Sequence, residues 1–238
     1  MKSVFLFLIL IISCFGHDIK DDVLLYLKSK HQFQYAGFYI AKEKGFYKEY
    51  GLNVTIKESN EFRDTINLVL ENTNSFGISD SALIYEKMLG KKISPLGAIF
   101  QHSPLTLLSL KKSEINTPND LKNKRIILDF DSIDNTLFNA IKNKYSLNEK
   151  NIQIPTPKDI NSLNIGKTDI YTTSLTSKIF PLQEKGIEYN YIYPSSLGFD
   201  FYGDILFTSE VNTKINTKKV KDFYKASIKG WKYAFENI

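Results

Sequence analysis

Two hydrophobic rhythms alternate along the chain. Leu52, Val54 and Ile56 interleave with Asn53, Thr55 and Lys57, the period-two pattern of a strand with one buried face. Phe62, Ile66, Val69 and Leu70 recur at helical spacing within residues 61–71. Residues 23–27 read as a strand, and residues 35–50 as a helix with Gly51 as its C-cap. A short strand at 75–78 precedes a helix at 81–89 that ends at Gly90. Residues 93–100 and 105–110 are strands, and Thr117 with Pro118 opens a short helix. Residues 125–129 read as a strand, and 133–145 as a helix that Asp131 or Ser132 can cap. Further strands fall at 151–154, 169–172 and 189–193, and residues 203–207 form a strand that returns the chain. The long helix at 218–235 carries Val220, Phe223, Tyr224, Ile228, Trp231 and Phe235 along one side.

Strands alternating with helices predict an α/β fold with a mostly parallel sheet. The segments around 109–113 and 194–202 are loop-like and divide the chain into two lobes. Residues 17–110 form the first part of lobe I, 111–198 form lobe II, and 199–238 return to lobe I. A cleft between two lobes is a common place for a small ligand.

The start of the chain reads differently. Lys2 precedes nine apolar residues, Val4 to Ile12. That run falls short of the roughly 20 residues a membrane helix needs. A positive start, a short apolar core and small residues make residues 1–16 a secretory signal. Cutting after Gly16 leaves His17 first. Alternatively, Ile11-Ile12-Ser13-Cys14 loosely resembles a bacterial lipobox, with Cys14 as a lipid anchor. Both readings place the protein in the periplasm or on the outer face of the membrane.

Composition narrows the chemistry. The 238 residues are 42% hydrophobic, 24% charged and 13% aromatic, which excludes a disordered chain. The net charge is +5 with dispersed bases, so no nucleic-acid footprint is present. The single Cys excludes a disulfide framework and Cys-based zinc sites. No G-x-S-x-G, P-loop or H-E-x-x-H occurs, and His17, His31 and His102 lack metal-ligand spacing. No catalytic residue, cofactor or metal is expected.

Candidate ligand contacts lie where strands end. Gln32, Gln34 and Tyr35 lie between the first strand and the next helix, and a Gln offers both donors and acceptors. Ser79, Asp80 and Ser81 occupy the next such turn, whose backbone N–H groups could hold an anion. Asp80 argues against a strongly anionic ligand there and suits an amino group or ring nitrogen. His102 sits near one crossover, and Asp200, Tyr202 and Asp204 near the other. Thr172 ends a lobe II strand. Each has a plainer reading: loop residue for the glutamines and His102, core for Tyr35, helix cap for Asp80. Asp129 and Asp131 read as caps, and Gly203 as a requirement of backbone geometry.

Three segments carry a resemblance. They are 31–54, beginning His31-Gln32-Phe33-Gln34-Tyr35; 76–83 running on through Gln101-His102-Ser103-Pro104 to 117–124; and Tyr202-Gly203-Asp204 followed by Lys229-Gly230-Trp231. In this order they resemble periplasmic substrate-binding proteins of the thiamine-pyrimidine-precursor, sulfonate and nitrate type. The resemblance implies a two-lobed, hinged periplasmic-binding-protein fold of type II. It also implies a small-molecule ligand, with a thiamine pyrimidine precursor favoured, and an ABC permease as partner. The opening segment equally resembles sensor versions, in which a transmembrane signalling helix reads the ligand for a kinase or diguanylate cyclase. The chain stops inside a helix, short of the family's usual length, and so reads as truncated before further helices or a membrane span. Fungal relatives are synthases that use pyridoxal phosphate. Their cysteine cluster is missing here, and residues 81–89 hold no His and only Lys87. The resemblance therefore implies a binding protein.

Overall fold

The computed structural model describes residues 21–59, 62–128, 133–147, 152–153, 159–174 and 179–237. The predicted signal, Cys14 and His17 lie outside the described residues, as do Asp129 and Asp131. In chain order the elements are β1 (Asp21–Tyr26), α1 (Ala36–Glu43), β2 (Leu52–Lys57), α2 (Phe62–Glu71), β3 (Ser75–Ser79), α3 (Ala82–Met88) and β4 (Ile93–Ala98). There follow β5 (Leu105–Leu110), β6 (Ile126–Ile127), α4 (Ile133–Tyr145), β7 (Ile152–Gln153), α5 (Asn161–Asn164), β8 (Ile170–Ser174), α6 (Phe180–Glu184) and β9 (Tyr189–Ile192). The chain then returns through β10 (Ile205–Ser209), α7 (Glu210–Ile215) and α8 (Thr217–Glu236).

Two five-stranded sheets result, ordered β2-β1-β3-β10-β4 and β7-β6-β8-β5-β9. Both are mixed, which corrects the mostly parallel expectation. β1 is parallel to β2 and β3, whereas β10 runs antiparallel to β3 and β4. In the second sheet β6 is parallel to β7 and β8, whereas β5 runs antiparallel to β8 and β9. The reversed strands β10 and β5 are the first that each sheet receives after the chain has crossed over. β5 lies in the second sheet, although residues 17–110 were expected to belong together. The first crossover is therefore 99–104 and the second follows β9 at 193–204.

The alternation in each strand explains the layers. Val23, Leu25 and Leu27 face α1 and α8 in one core, with Val54, Phe76 and Phe223. Tyr26 packs on the other side with Ile66, Val69, Leu83 and Phe207. The second sheet repeats the scheme: Leu107, Ile126 and Ile170 pack with Phe138 and Ile141 of α4, while Leu108, Ile127 and Tyr171 pack with Leu163 and Leu182.

The helix expected at 35–50 is broken. α1 stops at Glu43, Gly45 takes φ 76°, and a short 3-10 turn at Lys48–Tyr50 ends on Gly51 at φ 73°. The break seats Tyr47 in the core, stacked on Phe223 and hydrogen-bonded to Ser227 at 2.9 Å. The short helix at Pro118–Leu121 forms as expected, with Asp120 accepting from the Thr117 N–H at 2.8 Å.

Candidate functional site

The parallel strands β1 and β3 end at one edge of the first sheet, where β10 begins. Lys28 and Ser29 follow β1, Asp80 follows β3, and Asp204 precedes β10. This edge is where open α/β sheets bind ligands. Lys28, Asp80 and Asp204 meet there, joined by Gln34. Lys28 Nζ lies 2.7 Å from Asp204 Oδ1 and 3.9 Å from Asp80 Oδ2. Gln34 Nε2 donates to both carboxylate oxygens of Asp204, at 2.8 and 2.7 Å. Asp204 is wholly buried, so its charge depends on these partners.

Electrostatics follow from this packing. Burial works against the Lys28 ammonium, but Asp204 and Asp80 outweigh it and hold its pKa above the ordinary lysine value. Burial pushes the Asp80 carboxyl above the usual carboxylate range. Lys28 and the Ala82 N–H draw it back only in part, and Asp204 adds to the rise. Tyr35 is also raised, by burial first and then by Asp204.

The structure sorts the predicted contacts. Gln34 and Asp80 belong to this cluster. Gln32 donates to Ser29 Oγ at 2.8 Å, and Ser29 Oγ shares a 2.8 Å hydrogen bond with the Tyr35 hydroxyl. Tyr35 is itself fully buried, so it supports the loop from within the core. Asp80 also plays the plainer part: its Oδ1 accepts the Ala82 N–H at 3.0 Å. Beyond this turn, Leu83 N–H bonds the Asp80 carbonyl and Ile84 N–H the Ser81 carbonyl, so these two amides are taken up within the start of α3. Ser81 Oγ donates to the Tyr202 carbonyl at 3.0 Å, tying β3 to the second crossover. The Tyr202 side chain is about half exposed. Ser79, at the end of β3, is buried, and its hydroxyl has no partner among the described residues.

His102 and Asp200 join one crossover to the other, Nδ1 to Oδ2 at 2.7 Å. Backbone bonds reinforce this junction: Gly203 N–H to Phe100 carbonyl at 2.9 Å and Ile99 N–H to Asp204 carbonyl at 2.7 Å. Gly203 is required there, since a Cβ would stand 2.9 Å from Phe100 Cβ and 3.1 Å from Pro104 Cδ. Thr172 lies apart from the cluster, buried in β8 opposite Leu107. Its neighbour Thr173 carries a second buried hydroxyl with no partner among the described residues. The segments following β6, β7 and β8 lie outside the described residues.

Sequence reasoning passed over Lys28. One lysine just past a strand carries no periodic signal, and its role depends on Asp80 and Asp204, 52 and 176 positions further on. A separate hollow of about 330 Å³ lies at the opposite ends of β1 and β2, beside Asp21, Leu52 and the α7–α8 junction. Its charges are mutually paired, Lys218 with Asp222 and Lys219 with Asp21. No group of three or more His, Cys, Asp or Glu among the described residues could hold a metal. No helix among them is long and apolar enough to cross a membrane.

Residues 32–237 match the family described as "NMT1/THI5 like". The chain belongs to this family. No curated protein matches it by sequence. Among solved structures it is similar to the periplasmic aliphatic sulphonate binding protein of Escherichia coli. The TM-score is 0.69 at 11% identity, over 91% of this chain and 76% of the other. The alkanesulfonate-binding protein of Xanthomonas axonopodis pv. citri, bound to MOPS, gives 0.65 at 15%, over 88% of this chain and 72% of the other. An ABC uptake transporter substrate-binding protein of Streptococcus pneumoniae, with bound histidine, gives 0.62 at 15%, over 86% of each. At these identities the likeness establishes the periplasmic-binding-protein fold of this NMT1/THI5-like chain.

Proposed function

We propose that this NMT1/THI5-like chain is a periplasmic solute-binding protein that delivers a small molecule to an ABC importer. The observation that carries the reading is the polar cluster of Lys28, Gln34, Asp80 and Asp204 at the ligand-binding edge of the first sheet. It stands beside two crossovers that join two separately cored sheets. In this reading lobe I comprises the first sheet, with residues 205–237 returning to it, and lobe II comprises residues 105–192. Ligand lies between them, touching Gln34 and Asp80 directly, with Tyr202 as a planar stacking surface. His102 and Asp200 hold the hinge, and Thr172 stiffens the facing sheet. Closure on the ligand shifts the population toward the form that a permease reads. A thiamine pyrimidine precursor is the favoured ligand, on the family membership and on the acceptor groups present. The chain acts by binding and carries out no reaction. The sensor alternative shares this cleft and differs only in what reads the closed form.

A thermal-shift screen of the whole chain tests the reading. The panel holds pyrimidine precursors of thiamine, alkyl sulfonates, nitrate and amino acids. A true ligand at 100 times its Kd stabilises by about 2.7 kcal/mol, a shift of several degrees. A shift with a pyrimidine supports the favoured ligand. An unchanged melting temperature throughout the panel counts against solute binding.

A further inference from the structure

We infer that the lobe I wall of the cleft selects a ligand bearing a protonated or N–H-donating nitrogen and turns away sulfonates, with Asp80 as the specificity-determining residue. This rests on the solute-binding reading above. The charges at the wall decide it. One cation, Lys28, faces two carboxylates. Asp204 takes that cation at 2.7 Å and is saturated by Gln34. Asp80, at 3.9 Å, stands beyond hydrogen-bond reach of Lys28. Its Oδ1 is engaged by the Ala82 N–H, which leaves Oδ2, among the described residues, with only the distant ammonium. The wall thus presents one negative charge in excess and an acceptor oxygen, with side-chain exposure of 23%.

Among the described residues, the cations of this wall and its loops each face a carboxylate. A sulfonate needs an uncommitted cation or unspent N–H groups. Lys28 is committed to Asp204, and on the neighbouring loops Lys30 pairs with Glu58 and His102 with Asp200. The amides of Ala82, Leu83 and Ile84 are spent within their own turn. A second feature fits a polar ligand of either class, since a serine hydroxyl both donates and accepts. Ser79, the residue before Asp80, holds a fully buried hydroxyl with no partner among the described residues. Sulfonates and histidine are both named as ligands of similar structures. The charge of this wall matches an ammonium or an imidazole and opposes a sulfonate.

Calorimetric titration of the whole chain with histamine, 4-amino-2-methylpyrimidine and ethanesulfonate tests the inference, beside Asp80→Asn. Asparagine keeps an acceptor for the Ala82 N–H, and a melting curve checks that the variant folds. The expected result is binding of at least one nitrogen probe and none of ethanesulfonate. Asp80→Asn should weaken nitrogen binding about tenfold, the size of a lost charge-assisted hydrogen bond. It should not weaken any response to ethanesulfonate. Ethanesulfonate binding as tightly as the nitrogen probes would overturn the inference, as would undiminished nitrogen binding in Asp80→Asn. If a different panel compound binds and neither nitrogen probe does, the class is wrong while solute binding stands. If nothing on either panel binds, the solute-binding reading fails and takes the inference with it.

Discussion

Asp169 shows how one carboxylate shapes the acid response of lobe II. Arg125 grips it through Nε at 3.0 Å and Nη2 at 2.8 Å, and the Arg125 N–H adds a bond at 2.8 Å. These bonds hold its pKa below the ordinary value, against the opposing effect of burial. A carboxylate depressed in the folded state contributes stability above its unfolded pKa of about 3.9. That contribution is lost as pH falls through the lower folded value. Asp169→Asn should therefore cost about 1 kcal/mol at neutral pH. In urea denaturation at a series of pH values, the gap from the parent protein should shrink below about pH 4. A gap that stays constant into strong acid would contradict the assignment. At this scale the sequence was partly legible. Gln34 and Asp80 lie where strands give way to helices, a position with meaning of its own. Asp204 was marked by its place at the second crossover, whereas Lys28 acquires its role from Asp204 and Asp80, across a separation in sequence that no local pattern spans.

α1 and α8 meet through small residues. A Cβ on Gly230 would sit 2.1 Å from the Gly37 carbonyl, and one on Gly37 would stand 2.2 Å from the Trp231 ring. The close approach lets Trp231 reach both Phe38 and Phe100 edge-on. Gly230→Ala must push the two helices apart. Its expected cost is about 3 kcal/mol, the upper part of the overpacking range, read as a lower thermal midpoint. A midpoint within a degree of the parent would show that the helices are less tightly coupled than their geometry implies. The hydrophobic stripe of α8 was legible because it holds one period from Val220 to Trp231, about three turns, although Phe235 beyond it is exposed. The end of α1 was not. Tyr47 and Tyr50 keep roughly helical spacing while Gly45 turns the chain to bury Tyr47, and periodicity does not register a turn between two apolar positions. Strand existence was readable, in β2 from alternation and elsewhere from short apolar runs, but the direction of β5 and β10 was not. Direction depends on where a strand re-enters a sheet, which is a property of the whole chain path.

The whole molecule is two separately cored sheets joined by two crossovers. Those crossovers are bonded to each other through Gly203, Phe100, Ile99 and Asp204, and through the His102–Asp200 pair. Trp231, the sole tryptophan, rests on Phe100 of the first crossover, so bending there reaches the core of lobe I. Such a joint suits a protein whose work is to close on a ligand. The most direct test is small-angle scattering of the whole chain, alone and saturated with the panel compound that stabilises it most. Closure of two lobes predicts a smaller radius of gyration and a shorter maximum dimension in the bound state. Superimposable curves with and without a demonstrably bound compound would contradict ligand trapping by lobe closure.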